Sequence, residues 1–107
     1  MKETFGMFKN CYKLKTLNLS NFITSSVNNM FSMFSNCESL TYLDLGTFDT
    51  SSVTDMHYMF SNCYSLTTLN LSTFNTSITL NITKIFDGYN INLLYCINNK
   101  NNPKLTL

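Results

Sequence analysis

The sequence predicts an α/β solenoid of about four stacked units, with a parallel β-sheet on one face and short helices on the other. Three observations carry this. One 26-residue string recurs in register, each copy holds leucines two positions apart, and each copy also holds apolar residues at helical spacing. A repeat of about 20–50 residues marks an architecture in which each unit buries its apolar face only against its neighbours.

The clearest copy runs from Met33 to Phe48. The same order of Met-Phe, Asn-Cys, three leucines and a closing Phe starts one period earlier at Met7 and one period later at Met59. A fourth start at Ile85-Phe86 decays quickly. The chain therefore divides into a partial unit 1–6, units 7–32, 33–58 and 59–84, and a degenerate unit 85–107, together one domain. Met1 falls at the register of Val27, so the chain opens in mid-unit. A stack that opens there leaves an apolar edge without a polar cap, which leads us to expect a piece of a longer protein.

The pairs Leu17/Leu19, Leu43/Leu45 and Leu69/Leu71 have the period of two that belongs to strands. Strands are expected at Thr16–Ser20, Tyr42–Gly46 and Thr68–Ser72, parallel and about 4.8 Å apart. Val53, Met56, Met59 and Phe60 stand at i, i+3, i+6 and i+7, which is helical spacing. Ser51 or Ser52 would cap that helix, and Asp55 in its first turn would suit the helix dipole. Val27, Met30, Met33 and Phe34 repeat the pattern. In the fourth unit Ile78, Leu80 and Ile82 replace it, so its helix should be short or irregular. Leu93 to Ile97 reads as a closing strand, and the polar run Asn98 to Lys104 as a loop or frayed end.

Leu, Ile, Val and Phe together make up a large enough share of the chain for a packed core. Charged residues are 12%, half the usual level of roughly 25%. Abundant Asn, Ser and Thr take their place and predict a surface of hydroxyls and amides with few ion pairs. The net charge is +1, and all the lysines lie towards the ends. The carboxylates Glu38, Asp44, Asp49 and Asp55 occupy the middle, so there is no basic stripe for nucleic acid. No apolar run is long enough for direct membrane insertion. Met1 to Gly6 lacks the apolar core of a secretory signal, so the protein is cytoplasmic if complete as given.

The string Met-Phe-x-Asn-Cys-x-x-Leu-x-x-Leu-x-Leu-x-x-Phe-x-Thr-Ser, spanning roughly Phe5 to Phe86 in three registered copies, resembles the BspA-like leucine-rich-repeat surface proteins. The resemblance implies a leucine-rich-repeat solenoid on the cell surface or outside the cell, carried by a longer chain and binding a protein or matrix macromolecule. It brings no catalytic residues. One departure matters: Phe22, Phe48 and Phe74 stand where leucine-rich repeats usually place Asn or Cys. A Phe spine cannot satisfy loop carbonyls as an Asn ladder does, so the turn after each strand should differ.

Cys11, Cys37 and Cys63 share one register and read as small buried thiols, with Cys96 apart. No Cys or His pair has zinc-ligand spacing, and no cofactor or metal is expected. His57, the only histidine, lies off the expected Met56/Met59/Phe60 face and reads as a solvated surface residue. Without a second histidine or a nucleophile turn no catalytic site can be assembled, so an enzyme is not expected. The outward residues between the strand leucines remain. They form the ladders Thr16/Tyr42/Thr68, Asn18/Asp44/Asn70 and Ser20/Gly46/Ser72. The first two, Thr16, Asn18, Tyr42, Asp44, Thr68 and Asn70, are the candidate binding residues. The expected function is a non-enzymatic adhesion module, with a structural spacer or an intracellular protein scaffold as alternatives. End-to-end contact with further repeats is also expected.

Overall fold

The computed structural model describes residues 3–79, 81–90, 92–97 and 102. Three short parallel strands, β1 (Tyr42–Asp44), β2 (Thr68–Leu71) and β3 (Leu94–Ile97), form one sheet in the order β1-β2-β3. Leu43 pairs with Leu69 and Leu69 with Tyr95, each step being one period of the sequence. The sequence repeat is thus a spatial translation. Leu43, Leu45, Leu69 and Leu71 turn inward and are buried, while Tyr42 and Thr68 turn outward.

The expected closing strand forms, and its backbone keeps the register although its leucines do not. Tyr95 takes the inward place of Leu69, and Leu94 takes the outward place of Thr68, where it is 73% exposed. Backbone hydrogen bonding, not side-chain identity, holds this last coil in line.

Thr16–Ser20 does not form the expected strand. Thr41 N–H reaches Lys15 O at 3.4 Å, and among the described residues no backbone pairing joins Leu17 or Leu19 to β1. The segment lies beside β1 without forming its ladder bonds. Its leucines still approach the core, Leu19 being buried and Leu17 half-buried.

The expected helices are absent among the described residues. The N–H groups that would close helical turns go to the following coil instead. Met30, Ser32, Phe34 and Asn36 donate to the carbonyls of Asp55, His57, Met59 and Ser61 at 2.8–3.1 Å. Parallel bridges Glu3–Asn29, Asn29–Asp55 and Asp55–Asn81 continue the same stacking. Within a coil, three-residue turns alternate with left-handed residues. Ser32 and Asn36 have φ of 54° and 62°, Tyr58 and Asn62 have 58° and 59°, and Gly6, Asn10, Lys84 and Gly88 hold the same two registers. A left-handed residue every fourth position interrupts an α-helix. The side chains that these turns bury, Val27, Met30, Met33 and Phe34, fall at the spacing that imitates a helix. Ser51 caps no helix; its N–H closes a turn on Asp49 Oδ1 at 3.0 Å.

Between the sheet and these turns lies the core. Phe8, Phe34, Phe60 and Phe86 stack with ring centroids 5.7, 5.8 and 5.6 Å apart, and Met30, Met33, Met56 and Met59 are fully buried beside them. Asparagines line the left-handed corners. Asn62 Nδ2 donates to Asn36 Oδ1 at 2.8 Å, and Asn36 Nδ2 to Asn10 Oδ1 at 2.7 Å. Gly88 ends this ladder, because a Cβ there would run into Asn62 Oδ1.

The turn after each strand contains the hydrogen bonds that the Phe spine cannot supply. Phe48 and Phe74 are buried, and threonines two residues later do the polar work. Thr24 Oγ1 donates to Asp49 O and accepts from Asp49 N–H at 3.1 and 2.8 Å. Thr50 does the same with Asn75, at the same two distances. Thr76 N–H donates to Asn102 Oδ1 at 2.9 Å, and Asn102 Nδ2 to Phe74 O at 2.8 Å. Asn102 lies in the stretch read as a polar tail, yet it is buried one further register step along this ladder. The rest of that stretch, 98–101 and 103–104, lies outside the described residues, as do Leu80 and Met1.

Candidate functional site on the strand face

The outward residues of coils one and two enclose a shallow cavity of about 330 Å³. Thr16 and Asn18 line one side, Tyr42, Asp44 and Thr47 the other, and Leu17 and Leu19 contribute to the coil-one wall. It lies where the backbone ladder stops between 16–20 and β1. Four of the six sequence-predicted residues therefore meet. Thr68 stands apart on β2, and Asn70 reaches the site only through Asp44.

The carboxylate of Asp44 is held on one side. Its Oδ1 accepts the Gly46 N–H at 2.8 Å and Asn70 Nδ2 at 2.9 Å. Among the described residues its Oδ2 has only the Tyr42 hydroxyl, at 3.4 Å, beyond the usual range for an O–H···O bond. Tyr42 is 52% exposed. A Cβ at Gly46 would lie 2.9 Å from Asn70 Nδ2 and 3.0 Å from Asp44 Oδ1, so a larger residue there would make these side-chain ends shift.

Much of this ladder is committed to the fold. Asn18 Oδ1 accepts the Ser20 N–H at 3.0 Å and Asn70 Oδ1 the Ser72 N–H at 2.9 Å, closing the turn after each strand segment. Thr47 was not among the candidate residues; its two-residue offset from Leu45, outside the alternating strand pattern, gave no signal.

On the other face His57 is not a free surface residue. Its side chain is 24% exposed, its ring centroid lies 4.2 Å from that of Phe31, and Nδ1 meets Asp55 Oδ1 at 2.5 Å. Asn81 Nδ2 approaches the same nitrogen at 3.2 Å. The helical periodicity that pointed His57 outward does not exist. The register shared by Asn29, Asp55 and Asn81 was the available signal. Each of these side chains accepts the N–H two residues on.

All four cysteines are free thiols. Cys37 and Cys63 are buried and donate Sγ–H to the carbonyls of Phe8 and Phe34 at 3.2 Å, whereas Cys96 is exposed. Burial pushes the Cys37 thiol up to about 11 and that of Cys63 to about 12, with the preceding cysteine adding to each. These are packing groups at the pH of the cell. Among the described residues no group of three His, Cys, Asp or Glu side chains could hold a metal, and no helix is long and apolar enough to cross a membrane.

The structure thus has a small parallel sheet whose strands pair one sequence period apart, with side-chain ladders at the same step. The model of one family, described as "Mycoplasma protein of unknown function, DUF285", matches residues 2–98, and the chain belongs to that family. Comparisons with curated proteins and with solved structures gave no match.

Proposed function

We propose that the chain is part of a BspA-like leucine-rich-repeat solenoid that acts as a non-enzymatic adhesion module of a cell-surface protein. A protein or matrix macromolecule binds its exposed strand face. The observation that carries this reading is the cavity between 16–20 and β1, where Tyr42 and Asp44 meet Thr16 and Asn18 on one open face. Open sheet faces are the usual contact surfaces of repeat proteins, and an exposed tyrosine is a typical anchor. Membership of the matched family is compatible with this and names no ligand. The test is adhesion of cells displaying the intact protein. Replacing Tyr42→Ala together with Asp44→Ala should reduce it severalfold; unchanged adhesion would remove the basis for the strand-face site. Surface exposure is tested separately by protease shaving of intact cells, which should release peptides of this chain.

One observation favours a second reading. Asn18, Asp44 and Asn70 each close a turn, so their ladder serves the fold whether or not anything binds. That suits a structural spacer holding another domain away from the cell, and such a spacer would tolerate the double substitution.

A further inference from the structure

The strand-face cavity is specific about charge. Among the described residues Asp44 is the only charged one lining it, and there the one ion pair is His57 with Asp55, so no described cation pairs with Asp44. Asp44 Oδ1 is consumed by the Gly46 N–H and Asn70 Nδ2, which fixes the carboxylate's orientation. Oδ2 is left over, with the Tyr42 hydroxyl at 3.4 Å, beside an exposed aromatic ring. A fixed carboxylate oxygen and a tyrosine ring share one complementary ligand, a cation on an apolar stem. The carboxylate attracts its charge, the ring interacts with it, and the stem packs against half-buried Leu17. A volume of about 330 Å³ lies at the small end of ligand sites and suits one side chain.

We infer that this cavity is a receptor for a single lysine or arginine side chain presented by a protein partner. The inference rests on the proposed strand-face function and names the chemistry it selects. The registers on either side show how to remove the charge without losing the fold. Asn18 and Asn70 stand where Asp44 does, and each closes the same turn through its Oδ1. Asp44→Asn therefore keeps the turn and the acceptor for Asn70 while neutralising Oδ2.

The experiment titrates the full chain with Nα-acetyl-arginine amide and Nα-acetyl-lysine amide, followed by amide resonances. Nα-acetyl-norleucine amide and Nα-acetyl-glutamate amide serve as neutral and acidic probes. The basic probes should shift the Gly46 and Tyr42 amides saturably, with Kd in the millimolar range expected of one exposed contact. Asp44→Asn should weaken that response at least fivefold, and added salt should weaken it in the parent. The inference is overturned if Asp44→Asn leaves the response unchanged, if norleucine or glutamate binds as well, or if no probe shifts these residues. The adhesion assay separates the two proposals. Adhesion that depends on Tyr42 but not on the Asp44 charge leaves the strand-face function standing and discards the basic ligand.

Discussion

Thr50 holds the turn after β1 to the next coil, and Thr50→Val tests whether that bond stabilises the stack. The substitution nearly conserves shape but deletes Oγ1. The Asn75 N–H then loses its acceptor at 2.8 Å and the Asn75 carbonyl its donor at 3.1 Å, at a side chain that is 1% exposed. Leaving one such group unpaired costs about 1–3 kcal/mol, and the methyl that replaces the hydroxyl fills space already filled. We expect a loss of about 2–3 kcal/mol in urea unfolding and, at about 4–8 °C per kcal/mol, a midpoint roughly 10–20 °C lower on heating. Thr24→Val, which removes the same two bonds to Asp49, should behave alike. Ser52→Ala, an exposed hydroxyl bonded to Ser25 O at 3.2 Å, should change stability by less than about 0.5 kcal/mol. If Thr50→Val also stays within about 0.5 kcal/mol, the buried threonine ladder does not hold the turns and the reasoning fails.

Phe60→Ala, which removes a ring stacked between Phe34 and Phe86, should cost about 3–5 kcal/mol and broaden or abolish the thermal transition. At the left-handed corner, with φ of 59°, Asn62→Gly should be less damaging than Asn62→Ala by about 1 kcal/mol in the same urea assay. The raised thiol values mean that the fold keeps Cys37 and Cys63 protonated where the unfolded chain ionises. Their stabilisation is intact below the ordinary value of 9.0 and declines above it, towards 11 for Cys37 and 12 for Cys63. The decline is about 1.4 kcal/mol per pH unit for each thiol, and urea midpoints measured from about pH 8 to 10 should fall less steeply in Cys37→Ala/Cys63→Ala. Iodoacetamide under native conditions should modify exposed Cys96 well before Cys63, and equal rates would contradict the burial described.

The site was only partly legible. Alternation around Leu43 and Leu45 placed Tyr42 and Asp44 outward, because a strand's period of two leaves no other choice. The same alternation could not show that Asp44 Oδ1 would be occupied by Gly46 and Asn70 while Oδ2 stayed open. The first of these contacts is a local turn, and the second comes from Asn70 one sequence period away on the neighbouring strand.

The repeat by itself determined that equivalent residues meet one sequence period apart and that the leucines, Met-Phe pairs and cysteines of the two central units, such as Leu43, Met33, Phe34 and Cys37, form inner ladders. Leucine alternation also anticipated β1 and β2, and the apolar run at Leu93 to Ile97 anticipated β3, whereas the same alternation at Thr16–Ser20 gave no strand. Only the tertiary structure decided what the other half of each coil would be. A local pattern at i, i+3, i+6 and i+7 is shared by a helix and by turns punctuated with left-handed residues. The choice between them lies in where each N–H finds its acceptor, and here that acceptor is a carbonyl of the following coil, as Met30 N–H on Asp55 O shows. The same long-range bonding put the buried threonines and Asn102 to use and stops short of Thr16–Ser20, which stays outside the sheet.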